Sequence, residues 1–302
     1  MLQKISRALL LAALIICVSF LVKVASAQVS ISIYPVSFRV ALNPGETYTG
    51  SVTVINPNNF DLGVRPEKEN MAGGAEGEVQ LLGSEETKYG LASWIYFNES
   101  EMVLKPQERR NVSFVISIPL NAQPGGHYAA ILFRGLGPDQ LAGGGSGVGV
   151  SGRVGTTVLV EVSGDVQKTG EVISLDAPKF ISHGPLEISF KVKNTGNTHF
   201  SPEGKIVVSG LFQSKELSWE PRVVFPGYDR TFKVNWDNKY FFGPIKITLL
   251  TNIPGAATLS EMSVTVWAFP WQEALALIAV IALVWLVVRV FKKKFKIVKV
   301  GV

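Results

Sequence analysis

Residues 30–55, SISIYPVSFRVALNPGETYTGSVTVI, contain two segments in which apolar and polar side chains alternate, Ser30–Val40 and Thr47–Ile55. Successive side chains of a β-strand point to opposite faces, so a period of two predicts strands with one buried face. Between the two segments lies Asn43-Pro44-Gly45. This tripeptide is typical of a turn, because proline presets φ and glycine adopts backbone angles that other residues avoid. The stretch therefore predicts two strands joined by a turn.

The same alternation continues through residues 28–268, in short runs separated by proline and glycine. About seven strands on each side of a boundary near residue 168 are typical of immunoglobulin-like sandwiches. The predicted fold is all-β, with one sandwich over 28–167, a second over 168–268, and one C-terminal transmembrane helix. The further predicted strands are Ser93–Phe97, Asn111–Ile118, Gly126–Arg134, Gly155–Val162, Glu171–Leu175, Leu186–Lys193, Gly204–Phe212, Val223–Phe225, Arg230–Trp236, Gly243–Thr251 and Met262–Trp267.

A short internal repeat supports two domains of one type. Ser51–Asn59, SVTVINPNN, aligns without a gap with Ser189–Asn197, SFKVKNTGN. In each copy, two apolar residues spaced by two precede an asparagine-rich turn, and asparagine in a turn can bond its own backbone. The repeat predicts that one strand-to-turn unit is used in both sandwiches.

The first 27 residues resemble a secretory signal peptide. Lys4 and Arg7 precede an apolar run, and Ala25-Ser26-Ala27 matches a cleavage site before Gln28. The alternative is an uncleaved N-terminal anchor. The only cysteine, Cys17, lies in the apolar run, so residues 28–302 contain no disulfide and no cysteine metal site.

The C-terminal part predicts a single membrane span over 269–291. An uninterrupted apolar run, Ala274–Val288, is flanked by aromatic residues on one side and by Lys292-Lys293-Lys294 on the other. About 20 residues suffice to cross a bilayer. The positive-inside rule places the tail 292–302 in the cytoplasm and 28–268 outside the cell membrane. The alternative is a helix buried in a soluble core.

The net charge of +5 is concentrated at the two termini, and 28–268 is slightly acidic. A basic surface of the kind that binds nucleic acid is therefore not predicted. Gly147-x-Gly149-x-x-Gly152 has the spacing of a dinucleotide-binding loop, which requires a strand before it and a helix after it. Here a glycine-rich linker precedes the motif and a β-branched run follows it. We therefore expect a hairpin loop over Gly135–Gly152 that leads into a strand.

Catalytic and metal-binding motifs do not emerge from the sequence. The three histidines, His127, His183 and His199, are widely spaced, and neither a zinc-protease motif nor a nucleophile elbow occurs. The acidic segment Glu67–Glu86 is interpreted as a solvated loop, with a calcium site as the alternative. No cofactor and no enzymatic activity are predicted.

Aromatic side chains are the candidates for ligand binding, because their faces stack on sugar rings, although they also fill sandwich cores. The candidates are Trp94, Tyr96, Trp219, Trp236, Tyr240, Phe241 and Phe242. The run Tyr240–Phe242 cannot place all three rings inside, so we expect at least one at the surface or at a domain interface. We predict that Trp94, His127 and Tyr128 bind the ligand or partner; for His127 the alternative is a structural residue at the start of a strand.

One part of the sequence resembles a known family. Leu120-x-x-x-Pro124-Gly125-Gly126-x-Tyr128-x-x-Ile131-x-Phe133, a glycine-rich loop and then Gly152-Arg153-Val154-Gly155 resemble the WxL-interacting proteins of bacterial cell surfaces, in particular their N-terminal peptidoglycan-binding domain. The resemblance covers about residues 28–165. It implies binding to peptidoglycan or to a WxL-type surface protein. The segment 166–268 departs from the family, and its Asn194-Thr195-Gly196-Asn197 looks like a turn of generic adhesion-type sandwich modules.

Three functions are weighed on these observations. The first is a membrane-anchored adhesion or binding protein that contacts peptidoglycan or another cell-surface protein through its outer sandwich. The second is a cell-wall glycan-processing enzyme, which would need two carboxylates about 5–9.5 Å apart. The third is an assembly factor resembling a pilus chaperone, although the membrane anchor is unusual for that class.

Overall fold

The computed structural model describes residues 29–74, 77–83, 85–137, 152–211, 214–255 and 260–294. The predicted signal peptide, Cys17, Gly147, Gly149 and most of the basic tail lie outside these residues. The described elements are β1 (Ser32–Tyr34), β2 (Ser37–Leu42), β3 (Thr47–Ile55), β4 (Leu62–Gly73), β5 (Val79–Leu81), a 3-10 turn (Ala92–Trp94), β6 (Ile95–Phe97), β7 (Met102–Leu104), β8 (Arg109–Ser117), β9 (Gly125–Leu136), β10 (Arg153–Val162), β11 (Gly170–Asp176), β12 (Phe180–Ile181), β13 (Leu186–Asn194), β14 (Glu203–Ser209), β15 (Ser214–Leu217), β16 (Asp229–Trp236), β17 (Gly243–Asn252), β18 (Ser260–Ala268) and α1 (Trp271–Lys294).

The first sandwich packs two sheets against each other. One sheet has the order β1-β3-β8-β6, and the other has the order β2-β10-β9-β4-β5 with β7 also paired to β4. Their inner faces bury a single apolar core that includes Val52, Phe114, Ile131 and Val160. Because polar and apolar residues alternate in β3 and β8, burial alternates as well, as the sequence predicts.

The N-terminal segment contributes to both sheets of this sandwich. β1 pairs with β3 in one sheet, and after the cis peptide Tyr34–Pro35 the chain crosses to the other sheet. There β2 runs parallel to β10, from the pair Ser37–Thr157 to the pair Leu42–Val162. This crossing ties the two layers together at one edge.

β9 and β10 form the centre of the second layer. β9 is buried on both faces over most of its length, as expected for a central strand of a layer. The chain continues from Gly152 directly into β10, which pairs with β9 from Arg153 to Val162. The glycine motif thus precedes a strand, and the dinucleotide-binding alternative is wrong because the chain enters β10, and not a helix, directly after Gly152.

Two sequence interpretations need correction. The segment Glu67–Glu86 is not a single solvated loop, because residues 67–73 belong to β4 and residues 79–81 form β5. Its acidic side chains are used in cross-strand pairs: Glu67 contacts Arg134 at 2.8 Å, and Glu69 pairs with Arg153. Val223–Phe225 is not a strand and makes only an isolated bridge from Val224 to Phe200.

The second sandwich repeats the architecture. A sheet of order β11-β13-β16 packs on a sheet of order β12-β18-β17-β14-β15. Phe190, Phe232 and Trp219 form an aromatic cluster in its core, with the rings of Phe190 and Phe232 stacked at 5.0 Å. The chain is therefore all-β with two immunoglobulin-like sandwiches, followed by one helix. The boundary predicted near residue 168 lies in the segment that joins β10 to β11.

Helix α1 follows β18 after Phe269 and Pro270. Its segment Trp271–Lys292 is long and apolar enough to cross a membrane, and its side chains are not buried against the protein. A helix inside a soluble core would be covered on its apolar faces, so the buried-core alternative is wrong.

Candidate functional site

The candidate site lies beside a gap in the second layer of the first sandwich. β4 pairs with β9 along Gly63–Asn70. On its other side β4 pairs with β7 only at Leu62–Val64 and with β5 only at Met71–Gly73. The intervening part of β4 has no strand on that side among the described residues, and proline is tolerated there because a ladder hydrogen bond is not required. This part includes Pro66 and Lys68.

Asn70 fixes the chain segment that borders the gap. Its side chain is buried, and its Oδ1 accepts hydrogen bonds from the backbone N–H groups of Leu91 at 3.0 Å and Ala92 at 2.8 Å. Its Nδ2 donates to the carbonyl of Glu85 at 2.7 Å. One buried amide therefore holds the segment that leads into the 3-10 turn and Trp94.

Three clefts adjoin along this side of the sandwich. The central cleft has a volume of about 490 Å³ and contains Trp94 and His127. A cleft of about 720 Å³ shares Lys68 with it and extends past Tyr96 to Glu101. A third, of about 250 Å³, shares His127 with it and extends to the second sandwich. We call these three together the lateral groove. The groove residues used below are Lys68, Lys88, Trp94, Tyr96, Asn121, Gln123 and His127.

Trp94 and His127 form the floor of the central cleft. Their ring centroids lie 4.5 Å apart. The His127 ring is 4% exposed, with Nδ1 3.2 Å from the Gly90 carbonyl and Nε2 2.9 Å from the Gln123 carbonyl. Since both ring nitrogens are engaged by the backbone, His127 supports the indole of Trp94 and does not reach out as a free base.

Cations and aromatic rings alternate along the groove. The Lys68 ammonium lies 5.1 Å from the Tyr96 ring centroid and also donates to the Ile95 carbonyl. Burial lowers the pKa of Lys68. The Lys88 ammonium lies 5.2 Å from the ring of Tyr89. Such pairs combine a flat apolar surface with a positive charge.

Tyr128 lies outside the groove, on the opposite face of β9. Its side chain is 1% exposed and packs at the junction of the two sandwiches, 4.8 Å from the ring of Phe225 and 5.5 Å from that of His199. Burial raises the pKa of the Tyr128 hydroxyl. The structure thus brings Trp94 and His127 together and separates Tyr128 from them.

The junction itself is built from both sandwiches. Met71, Tyr128 and Leu159 of the first pack against Phe225 of the second. Around this apolar cluster, the Gly126 N–H donates to the Asn197 carbonyl at 2.9 Å. The hydroxyl of Thr198 and the Nζ of Lys168 both contact Glu161. The third cleft of the groove therefore ends against a junction that both sandwiches share.

Sequence reasoning missed the polar residues of the groove. The sequence predicts a solvated loop around Lys68 and Asn70, whereas both belong to β4. Lys88, Asn121 and Gln123 carry no motif, because they come together only where the segment that contains Lys88 lies against the start of β9, with the Tyr128 N–H donating to the Tyr89 carbonyl at 2.8 Å. Within the described residues, no group of three His, Cys, Asp or Glu side chains is arranged to hold a metal ion, and Glu76 of the acidic segment lies outside those residues.

Comparisons with known proteins give distant similarities of fold. No protein-family model and no curated protein matches the sequence. Among solved structures, the chain is similar to the class 5 fimbriae chaperone CfaA, with 12% identity over 78% of this chain and 99% of that one and a TM-score of 0.39. It is also similar to the E. coli chaperone DraB, with 13% identity over 78% of this chain and 98% of that one and a TM-score of 0.38. A third similar structure is that of the Salmonella enterica SafA pilin in complex with the SafB chaperone, with 14% identity over 80% of this chain and 99% of that one and a TM-score of 0.39.

Proposed function

We propose that this protein is a single-pass membrane protein without catalytic activity, whose first sandwich binds a peptidoglycan-type glycan strand in the lateral groove. α1 anchors it in the cell membrane, with both sandwiches outside and the basic tail in the cytoplasm. This orientation follows from the three lysines at the C-terminal end of α1, Lys292-Lys293-Lys294.

The observation that carries the proposal is the composition of the groove. Extended glycans are bound by aromatic faces that stack on sugar rings and by amide and charged groups that bond hydroxyls and carboxylates. Trp94 and Tyr96 supply the aromatic surface, and Asn121 and Gln123 supply exposed amides. Lys68 and Lys88 supply positive charge for the carboxylates of peptidoglycan stem peptides. The resemblance of 28–165 to a peptidoglycan-binding domain implies the same class of ligand.

The proposal is tested by sedimentation. Detergent-solubilised full-length protein is mixed with insoluble peptidoglycan and pelleted, and the supernatant is assayed for released reducing ends. We expect pelleting without release. Release of reducing ends would favour the enzyme, and failure to pellet at low salt would contradict glycan binding.

Three exposed groove variants locate the site: Tyr96→Ala, Lys88→Ala and Asn121→Ala. Tyr96→Ala is expected to weaken binding about tenfold, equivalent to about 1.4 kcal/mol. Tyr34→Ala is the matched control, because Tyr34 is also an exposed tyrosine but lies on β1, away from the groove. Equal losses for Tyr96→Ala and Tyr34→Ala would place the glycan elsewhere.

The second candidate is the assembly factor that binds an extended segment of a client protein. The observation in its favour is an unpaired edge at the N-terminal end of β10. β10 pairs with β9 from Arg153 to Val162 but with β2 only from Thr157. The N–H and C=O groups of Arg153–Thr156 on the β2 side are thus without a paired strand among the described residues, and such an edge accepts an added strand. Arg153→Pro, which removes a backbone N–H on the open side at the first residue of β10, would abolish client capture and leave glycan binding intact. Arg153→Ala, which loses the same ion pairs but keeps the N–H, would retain client capture.

A further inference from the structure

Several large apolar side chains are exposed at one end of the second sandwich, the end from which α1 leaves. Trp267 is 60% exposed and Phe180 is 53% exposed, although the same sandwich buries a large apolar core. Exposed apolar patches of this kind mark surfaces that contact another apolar phase. We call the group the basal patch; its members are Phe180, Leu211, Tyr240, Phe242, Trp267 and Phe269.

Strand register brings the members from distant parts of the chain together. Phe180 of β12 is paired directly with Trp267 of β18, and Trp267 is paired on its other side with Pro244 of β17. Side chains of directly paired residues lie on the same face of a sheet. The position that a Cβ on Gly243 would occupy lies 2.5 Å from Cδ1 of Leu211, so Leu211 covers the start of β17 beside them.

The loop before β17 adds two further rings. Within Tyr240–Phe242 the middle ring, Phe241, is fully buried, whereas Tyr240 and Phe242 are exposed. This confirms the expectation that at least one ring of the run reaches the surface. The Tyr240 ring lies 6.2 Å from His183, and His183 Nε2 lies 2.6 Å from Oε1 of Glu273 in the first turn of α1.

The connection to α1 is too short to hold the patch away from the helix. Only Phe269 and Pro270 separate β18 from α1, a distance of about 7 Å at full extension. The Phe269 N–H donates to the Ile181 carbonyl at 3.0 Å, so even this linker is tied to β12. Wherever the first turn of α1 enters a bilayer, the basal patch lies beside it.

We propose that the basal patch is a second membrane-contact surface, which inserts into the headgroup region of the bilayer that α1 spans. The proposal rests on the membrane anchoring proposed above. Tyrosine and tryptophan favour this region because their rings are apolar and their polar groups stay hydrated. Lys179 and Lys239, both exposed and adjacent in sequence to Phe180 and Tyr240, match the phosphates of lipid headgroups. The second sandwich therefore stands directly on the membrane and holds the lateral groove at a fixed height.

Spin labelling tests the contact in the full-length chain. With Cys17 replaced by serine, each added cysteine is unique. Labels are placed through Phe180→Cys and Tyr240→Cys in the patch, and through Ile278→Cys within α1 as the lipid reference. Ile173→Cys is the matched control, an exposed apolar position on β11 of the same sandwich. The protein is reconstituted in nanodiscs of phosphatidylcholine and phosphatidylglycerol, and accessibility to oxygen and to a water-soluble nickel chelate is measured.

We expect the oxygen-to-nickel accessibility ratio at the two patch labels to be several-fold higher than at Ile173→Cys and lower than at Ile278→Cys. Patch labels as accessible to nickel as the control, with Ile278→Cys in lipid, would overturn the basal contact and leave the anchor intact. A water-exposed Ile278→Cys label would overturn both the anchor and the contact. Patch labels shielded from both reagents would show that a second copy or another protein covers the patch, which also overturns the lipid assignment.

Discussion

Asn56 and Asn194 occupy equivalent positions in the two sandwiches and make equivalent hydrogen bonds. Each is fully buried at the end of a strand. The Nδ2 of Asn56 donates to the carbonyl of Phe60, and that of Asn194 donates to the carbonyl of Thr198, both at 2.8 Å and both four residues further along the chain. The repeat in the sequence is thus a repeat of one hydrogen-bonded turn.

The correspondence extends to both atoms of each amide. The Oδ1 atoms accept hydrogen bonds from the backbone N–H groups two residues on, those of Asn58 at 3.0 Å and Gly196 at 2.9 Å. The Nδ2 atoms also reach a segment distant in sequence, at the carbonyls of Leu104 (3.1 Å) and Val224 (2.9 Å). Each asparagine therefore closes its own turn and joins it to a neighbouring chain segment.

Replacing either asparagine by alanine should destabilise its sandwich. The change leaves buried carbonyls without donors, and each such group costs about 1–3 kcal/mol. We expect a loss of about 3 kcal/mol for Asn56→Ala, whose Nδ2 also bonds Lys105, and about 2 kcal/mol for Asn194→Ala. Urea unfolding followed by circular dichroism measures both. The exposed Asn235→Ala is the control, and losses no larger than that of the control would contradict the structural role.

The sequence predicts these turns because all their determinants are local. In each copy, the alternating strand and the asparagine-rich turn that follows it lie within one segment of nine residues. β4 could not be predicted in this way. It contains Pro66, Glu67, Lys68, Glu69 and Asn70, residues that disfavour strands in isolation.

What makes β4 a strand is pairing with residues far along the chain. Its central part pairs with β9, and the carboxylates of Glu67 and Glu69 pair with Arg134 of β9 and Arg153 of β10. Tertiary contacts of this kind override local propensity. The same non-local pairing creates the gap that forms the lateral groove, so Trp94 and His127 could be proposed from the sequence but the lysines and amides beside them could not.

The stability of the sandwich junction should fall in mild acid because of His199. Burial lowers the pKa of His199 to about 4, below its ordinary value of 6.5. The folded protein therefore binds fewer protons than the unfolded chain between these values, and the stability that His199 contributes is complete above pH 6.5 and is lost as the pH falls towards 4. We expect the thermal midpoint to decrease over this window in wild type.

The variant His199→Gln isolates this effect, since glutamine does not titrate. The decrease in thermal midpoint between pH 6.5 and pH 4 should be smaller in His199→Gln than in wild type, as measured by differential scanning calorimetry. His183→Gln is the control, because His183 lies at the opposite end of the second sandwich. Parallel pH profiles for wild type and His199→Gln would contradict the assignment.

Phe225 should hold the two sandwiches together. It is buried against Met71, Tyr128 and Leu159, and it is the large apolar side chain that the second sandwich contributes to this cluster. Truncation of a buried phenylalanine costs about 3–5 kcal/mol. We expect Phe225→Ala to loosen the junction and to make the connecting segment at Lys168, whose side chain is already exposed, easier for trypsin to cleave.

Limited proteolysis with mass spectrometry measures cleavage after Lys168. The rate should rise several-fold in Phe225→Ala and stay unchanged in Ile173→Ala, which removes an exposed apolar side chain from β11. If both variants are cleaved at the wild-type rate, the apolar cluster does not hold the junction closed.

A charge at the centre of α1 should weaken membrane retention. Ile281 lies midway along the apolar segment Trp271–Lys292, and its side chain is exposed on the helix surface. An arginine at the centre of a spanning helix costs about 2.5–3.5 kcal/mol of insertion free energy. We expect Ile281→Arg to increase the fraction of protein released from membranes by alkaline carbonate, whereas Ile281→Leu should behave as wild type. Since a helix that merely rests against a membrane surface could turn the arginine towards water, equal retention of Ile281→Arg and Ile281→Leu would contradict a membrane-spanning α1.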